Sequence, residues 1–219
     1  MAPVQKVVLA GATGALGALM LQTLLDAKYD VIVFTRPTSN HTFPDNVKVA
    51  KVDYNNVEDL TIALRGHDAL ISTVNAGAKD EQKRLVDAAI AAGIKRLIPS
   101  SFGCDLKWSP KTRALPVYKT KVEMEEYIEA KCKGTLTTYI LVYNNVFLDW
   151  AIDYKFMVDL KGKKIDLYDG GEIKYTATPL AFVAKGTVAC LQRFEETANR
   201  AVNLQGAVLT QKRLSLIHI

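Results

Sequence analysis

Val7-Val8-Leu9-Ala10-Gly11-Ala12-Thr13-Gly14-Ala15-Leu16-Gly17 is the stretch on which the fold turns. Four apolar residues, the length of a buried strand, run into three glycines spaced three apart. Leu16, Leu19, Met20 and Leu24 then recur at helical spacing. A phosphate held at such a strand-to-helix turn needs close backbone approach and free N–H groups at the positive end of a helix. The first glycine permits the tight turn, the second lets a pyrophosphate touch backbone, and the third lets helix and strand pack closely. The spacing is G-x-x-G-x-x-G rather than G-x-G-x-x-G, and a glycine-rich loop alone also reads as an ordinary connection. Its surroundings decide between the two.

Outward from that loop the pattern repeats. Val31-Ile32-Val33-Phe34 reads as a second strand, and Val47 to Val52 as a third. Glu58 to Arg65 reads as a short helix stopped by Gly66, and Ala69 to Thr73 as a fourth strand. Asp80 to Ala92 is an amphipathic helix, Arg96-Leu97-Ile98 a fifth strand, Lys119 to Lys131 a charged helix and Tyr139 to Val142 a sixth strand. Strands alternating with helices imply parallel pairing through right-handed crossovers. The expected fold is therefore α/β, a doubly wound parallel Rossmann sheet. Beyond Val142 the rhythm changes. Ile165 to Tyr168 and Ile173 to Thr176 read as a hairpin around Asp169-Gly170-Gly171, Ala181 to Phe194 as a helix and Ala201 to Gln205 as a strand. The expected division is a dinucleotide-binding domain over 1–150 and a partial C-terminal substrate lobe over 151–213. Leu214 to Ile219 follow no earlier pattern and read as a non-native tail, the in-frame translation of a transposon end, with a native apolar tail as the alternative. The natural sequence is then expected to be cut near Arg213.

Composition narrows the function classes. The 219 residues are 49% hydrophobic and 23% charged, which excludes a disordered tail, a collagen-like fibre and a coiled coil. No apolar run reaches the ~18 residues that span a bilayer, and Met1-Ala2-Pro3-Val4-Gln5-Lys6 has no secretory pattern. Cys104, Cys132 and Cys190 are too scattered for a disulfide frame or a zinc site, so a reducing cytoplasm is the expected compartment. His41, His67 and His218 are isolated, and no metal spacing is present. The net charge of +5 is spread along the chain without aromatic interleaving, which argues against nucleic acid as a partner.

The second strand points to which dinucleotide. An NAD-selective fold tends to end it on Asp or Glu, whereas here Thr35-Arg36-Pro37-Thr38-Ser39 follows. Arg36 lies nineteen residues beyond Gly17, where the ribose 2′ discriminator belongs. A guanidinium there can pair with a 2′-phosphate, so NADP(H) is expected over NAD(H). The same residue also reads as a surface arginine after a strand. Asp53, ending the third strand, is placed to meet the adenine edge and equally reads as a turn aspartate.

GATGALG at 11–17, the Arg36 strand end, Asp68-Ala69-Leu70-Ile71-Ser72-Thr73 and Ile98-Pro99-Ser100-Ser101-Phe102-Gly103 together resemble the NmrA-like/isoflavone reductase-like group of atypical short-chain dehydrogenase/reductases. The resemblance runs to about residue 213, and Asn144 to Trp150 resembles fungal members most. It implies an NADPH-dependent reductase whose pocket lies between the carboxyl edge of the sheet and a smaller lobe. In catalytic members a lysine sits seven residues before the Ile of an I-E-A segment; Ile128-Glu129-Ala130 makes Lys121 the match. Its implied role is to orient the nicotinamide ribose and assist proton transfer. Most helical lysines are simply solvated, and it is the resemblance that tips Lys121 towards function. The implied cofactor set is Gly11, Ala12, Thr13, Gly14, Ala15, Leu16, Gly17, Arg36, Asp53, Thr73 and Lys121, with Phe102, Phe147 and Trp150 as candidate pocket walls, although aromatics at such positions are more often core. Many members carry Glu where Ser101 stands and two arginines where Glu125 and Glu126 stand. Tyr118 is three residues before Lys121, so it does not carry over as the acid of a Y-x-x-x-K pair. Two functions compete: an NADPH-dependent reductase of a small aromatic or apolar substrate, and an NADP(H)-sensing regulator that acts through a protein partner without turnover. Lys121 favours the enzyme. A remnant made inactive by truncation is the third, blander reading.

Overall fold

The computed structural model describes residues 4–75, 77–156, 159, 161–162 and 164–218. β1 (Lys6–Ala10) lies at the centre, with Val7, Val8, Leu9 and Ala10 all fully buried because both faces of the sheet are covered. It leads through the glycine loop into α1 (Ala15–Asp26) and on to β2 (Asp30–Thr35) and β3 (Lys48–Lys51). α2 (Val57–Leu64) returns the chain to the other side of β1, where β4 (Ala69–Ser72), α3 (Lys79–Ala91), β5 (Arg96–Ile98), α4 (Pro110–Arg113), α5 (Lys119–Cys132) and β6 (Thr138–Tyr143) follow.

The main sheet has seven strands, all parallel, the seventh being β9 (Arg200–Asn203). Its order is β3-β2-β1-β4-β5-β6-β9. The chain leaves β1 in one direction and resumes at β4 in the other, so a crevice opens between the carboxyl ends of β1 and β4, the switch point where such sheets take ligands. One core layer sets Met20, Leu21 and Leu24 of α1 against Leu9, Ile71 and Val142 of the sheet, and against Val183 and Val188 of α7 (Leu180–Gln192). The other sets Leu60 and Leu64 of α2 with Leu85, Val86 and Ala89 of α3 and Ile128 of α5 against Val8, Leu70 and Leu97. Burying each such side chain is worth about 1.5–3 kcal/mol.

A second sheet runs β10-β8-β7, from β7 (Val146–Phe147), β8 (Tyr175–Thr178) and β10 (Ala207–Leu209). Between β7 and β8 lies α6 (Leu148–Asp153). Residues 151–213, expected as a separate partial lobe, thus divide their contributions: β8 and β10 build the small sheet, while α7 covers α1 and β9 extends the main sheet beside β6. The expected hairpin does not form. Ile165 to Tyr168 is not a strand, since Gln211 satisfies its backbone instead, accepting from Tyr168 N–H at 2.9 Å and donating to Asp166 O at 2.6 Å. β8 pairs with β10 and β7. The stretch expected as a non-native tail continues α8 (Gln211–His218), and Ile219 lies outside the described residues. No described helix is long and apolar enough to cross a membrane.

Candidate functional site: a groove at the sheet's switch point

The loop after β1 is shaped by its glycines. Gly11 has φ +87°, and a Cβ there would lie 2.7 Å from the Thr73 carbonyl carbon. A Cβ on Gly17 would lie 2.1 Å from Gly11 O, so α1 seats directly on the loop backbone. Gly14 differs: its φ of −77° suits any residue, and a Cβ there would make only a 3.5 Å contact with Gly11 O. Nothing inside the protein asks for a bare backbone at Gly14, which faces outward. α1 has no side-chain cap and no acidic residue in its first turn. Its positive end therefore has the chemistry to receive an anion.

These features line one side of a groove of about 600 Å³. Gly11, Ala12, Thr13 and Gly14 form its floor, Arg36 and Ser39 stand at one end, and Thr73, Val74 and Asn75 at the other. Thr73 ties the two strand ends together: its Oγ1 donates to Ala10 O at 3.0 Å, with Gly11 O 3.1 Å away. Arg36 extends into solvent, 67% exposed, with Nη2 3.4 Å from Glu81 Oε1 on α3. Such an exposed pair contributes little and yields readily to a better anion. Gly17 is buried under the loop, and Ala15 and Leu16 form the first turn of α1.

Asp53 is not brought into this lining. Its Oδ1 accepts from Asn55 N–H at 2.9 Å, shaping the turn that leads into α2. Tyr54 lines the groove instead, its hydroxyl donating to Phe34 O at 3.1 Å. Burial raises the Tyr54 pKa, with Glu81 raising it further and Arg36 opposing.

Val74, Asn75 and Ala78 also border a smaller recess that reaches Lys121. Lys121 Nζ donates to Phe102 O at 2.6 Å. Gly103, at φ +136°, leaves room for this, because a Cβ there would lie 2.8 Å from Nζ. Burial lowers the Lys121 pKa, while Cys104 and Glu125 oppose that shift. Beside it, Cys104 Sγ and the Tyr118 hydroxyl are 3.2 Å apart, and this contact, with burial, pushes Tyr118 up to about 12.

The three aromatics expected as pocket walls are dispersed. Phe102 is buried in the core, Phe147 packs against that same core, and Trp150, 45% exposed, stacks on Tyr154 at 5.3 Å. None of them borders the groove or the recess. Sequence reasoning passed over Asn75, Tyr54 and Glu81. Asn75 carried a signal, following the fourth strand at its carboxyl end, where ligands of such sheets collect. Glu81 carried none, since only the fold brings it to Arg36.

Comparison with known proteins agrees with this architecture. The model of the NmrA-like family matches residues 3–214. The chain belongs to the NmrA-like family. Among relatives of this NmrA-like chain, oxidoreductase poxI of Penicillium oxalicum is 32% identical over 216 residues, covering 95% of this chain and 67% of its own length. Oxidoreductase aprR of Aspergillus flavus is 33% identical over 214 residues, covering 96% and 72%. In fold, the NmrA-like chain is similar to AtPrR2, solved with NADP+ and (+)pinoresinol, at a TM-score of 0.81 and 21% identity over 98% of this chain and 74% of that one.

Proposed function

We propose that this chain is an NADPH-dependent reductase of a small, aromatic or otherwise apolar, substrate. The observation that carries the reading is the groove with its adjoining recess, which together run from the exposed Arg36 guanidinium, along a bare glycine loop at an uncapped helix end, to half-buried Lys121. Those residues fit a phosphorylated dinucleotide: the N–H groups of the first turn of α1 meet the pyrophosphate beside the bare face of Gly14, and Arg36 pairs with the 2′-phosphate. When bound, the dinucleotide supplies hydride. Lys121 donates from Nζ to the ribose hydroxyls and, being desolvated, holds a proton that it releases more readily than a surface lysine. The oxidoreductase names of the fungal relatives and the NADP+ and pinoresinol of the structural neighbour support the class of cofactor and substrate.

The test is quenching of intrinsic fluorescence by NADPH, followed by NADPH oxidation over a panel of aromatic carbonyl and benzylic ether compounds. Lys121→Ala is expected to keep NADPH binding and to lose turnover at least a hundredfold, about 2.7 kcal/mol in the barrier. Turnover that survives the change removes Lys121 from its role. Tight NADPH binding without turnover on any substrate favours the regulator.

A further inference from the structure

Lys121 has a neighbour that the proposed reaction does not use. Glu125 lies one turn further along α5 on the same face, and it is 2% exposed. Its carboxyl group faces the buried Tyr143 hydroxyl on β6. The Arg113 guanidinium stands 3.8 Å from Glu125 Oε2. A buried carboxyl group is costly unless polar partners surround it. Glu125 and Lys121 both line a cavity of about 20 Å³ with Ser100, Ser101 and Met124. That is room for one water, with polar groups on several sides to hold it.

We propose that Glu125 is a positioning residue that exchanges a proton with Lys121 through a single water held in this cavity. The step balances. Once Lys121 Nζ has given up a proton, the Glu125 O–H bond breaks and its proton passes to the water. The water passes one of its own to the Nζ lone pair, leaving a carboxylate facing an ammonium. Arg113 from α4, Tyr143 from β6, Lys107 from the loop before α4 and Glu129 from α5 are the other groups that face Glu125. Cys104 faces Lys121. Burial raises the proton affinity of Glu125 and lowers that of Lys121, which narrows the gap the proton must cross. The use made of the proton rests on the reductase reading; the exchange itself does not.

The test therefore uses the protein without cofactor. Trace acetic anhydride is applied across a pH series, and acetylation of the Lys121 peptide is quantified by mass spectrometry. In Glu125→Gln the midpoint of Lys121 labelling is expected to fall by roughly one pH unit, and Glu125→Asp is expected to restore most of it. An unchanged midpoint in a folded Glu125→Gln protein overturns the proposal. Where that variant does not fold, infrared spectra of the wild type before and after acetylation give the answer. The buried carboxyl stretch is expected to move when Lys121 is acetylated, and an unaltered band overturns the proposal. A failure of NADPH to bind counts against the reductase reading and leaves these readouts untouched.

Discussion

Two glycines of one loop do different work, and mutation separates them. At Gly17 a methyl would meet Gly11 O at 2.1 Å, with backbone on both sides and no flexible neighbour to give way. Gly17→Ala is expected to cost about 1–3 kcal/mol of stability or more, read as a lowered urea midpoint. At Gly14 the same methyl fits. Gly14→Ala is expected to leave the urea midpoint within about 0.5 kcal/mol of wild type and to weaken NADPH binding at least tenfold, about 1.4 kcal/mol. Equal losses of stability in the two variants would remove the ligand-facing reading of Gly14. Arg36 is separable in another way: Arg36→Ala is expected to weaken NADPH at least tenfold while sparing NADH, and equal losses for both would deny it the 2′-phosphate. These residues were legible because their reasons are local, a turn, a helix end and a strand end. Glu125 was not. Its sequence neighbours, Met124 and Glu126, say nothing of burial, and the helix it occupies has charged residues on most sides.

At the scale of the element, α5 carries a buried acid and a half-buried base on one face, and their effects on stability have opposite signs. Glu125 titrates higher in the folded chain than its ordinary 4.5. The folded state therefore holds the extra proton, and that stabilisation is full below 4.5 and lost as pH rises through the folded value. Lys121 titrates lower than its ordinary 10.5, so its contribution is full above 10.5 and lost as pH falls through its folded value. Urea midpoints measured from pH 4.5 upward are expected to drift down across the Glu125 window in the wild type and to flatten in Glu125→Gln. A drift that persists in the variant assigns it to another group. The pattern of elements up to β6 was readable from strand and helix periods, with ends shifted by a residue or two. β7, α4 and α6 escaped because two to six residues carry no period.

For the whole molecule, the boundary expected at residue 150 is the instructive part. Residues 1–150 contain every strand that touches the groove, so sequence order alone marks them as a self-sufficient unit. In space, β9 pairs along Ile140 to Tyr143 of β6, and Val183, Ala184 and Val188 of α7 share a core with Met20 and Leu24 of α1. Only long-range packing records this, and no local pattern can. A fragment of residues 1–150 is expected to bind a hydrophobic dye, to be cut rapidly by protease and to show no NADPH quenching. A fragment as resistant as the full chain would restore the boundary at 150.

The packing of α7 onto α1 also sets an order in time. A ribosome releases the glycine loop early, yet α1, which follows it, lacks its cover until some 170 further residues have emerged, through Gln192. Until then the apolar side of α1 is exposed and open to chaperones. The loop thus gains its full support only after α7 has been made.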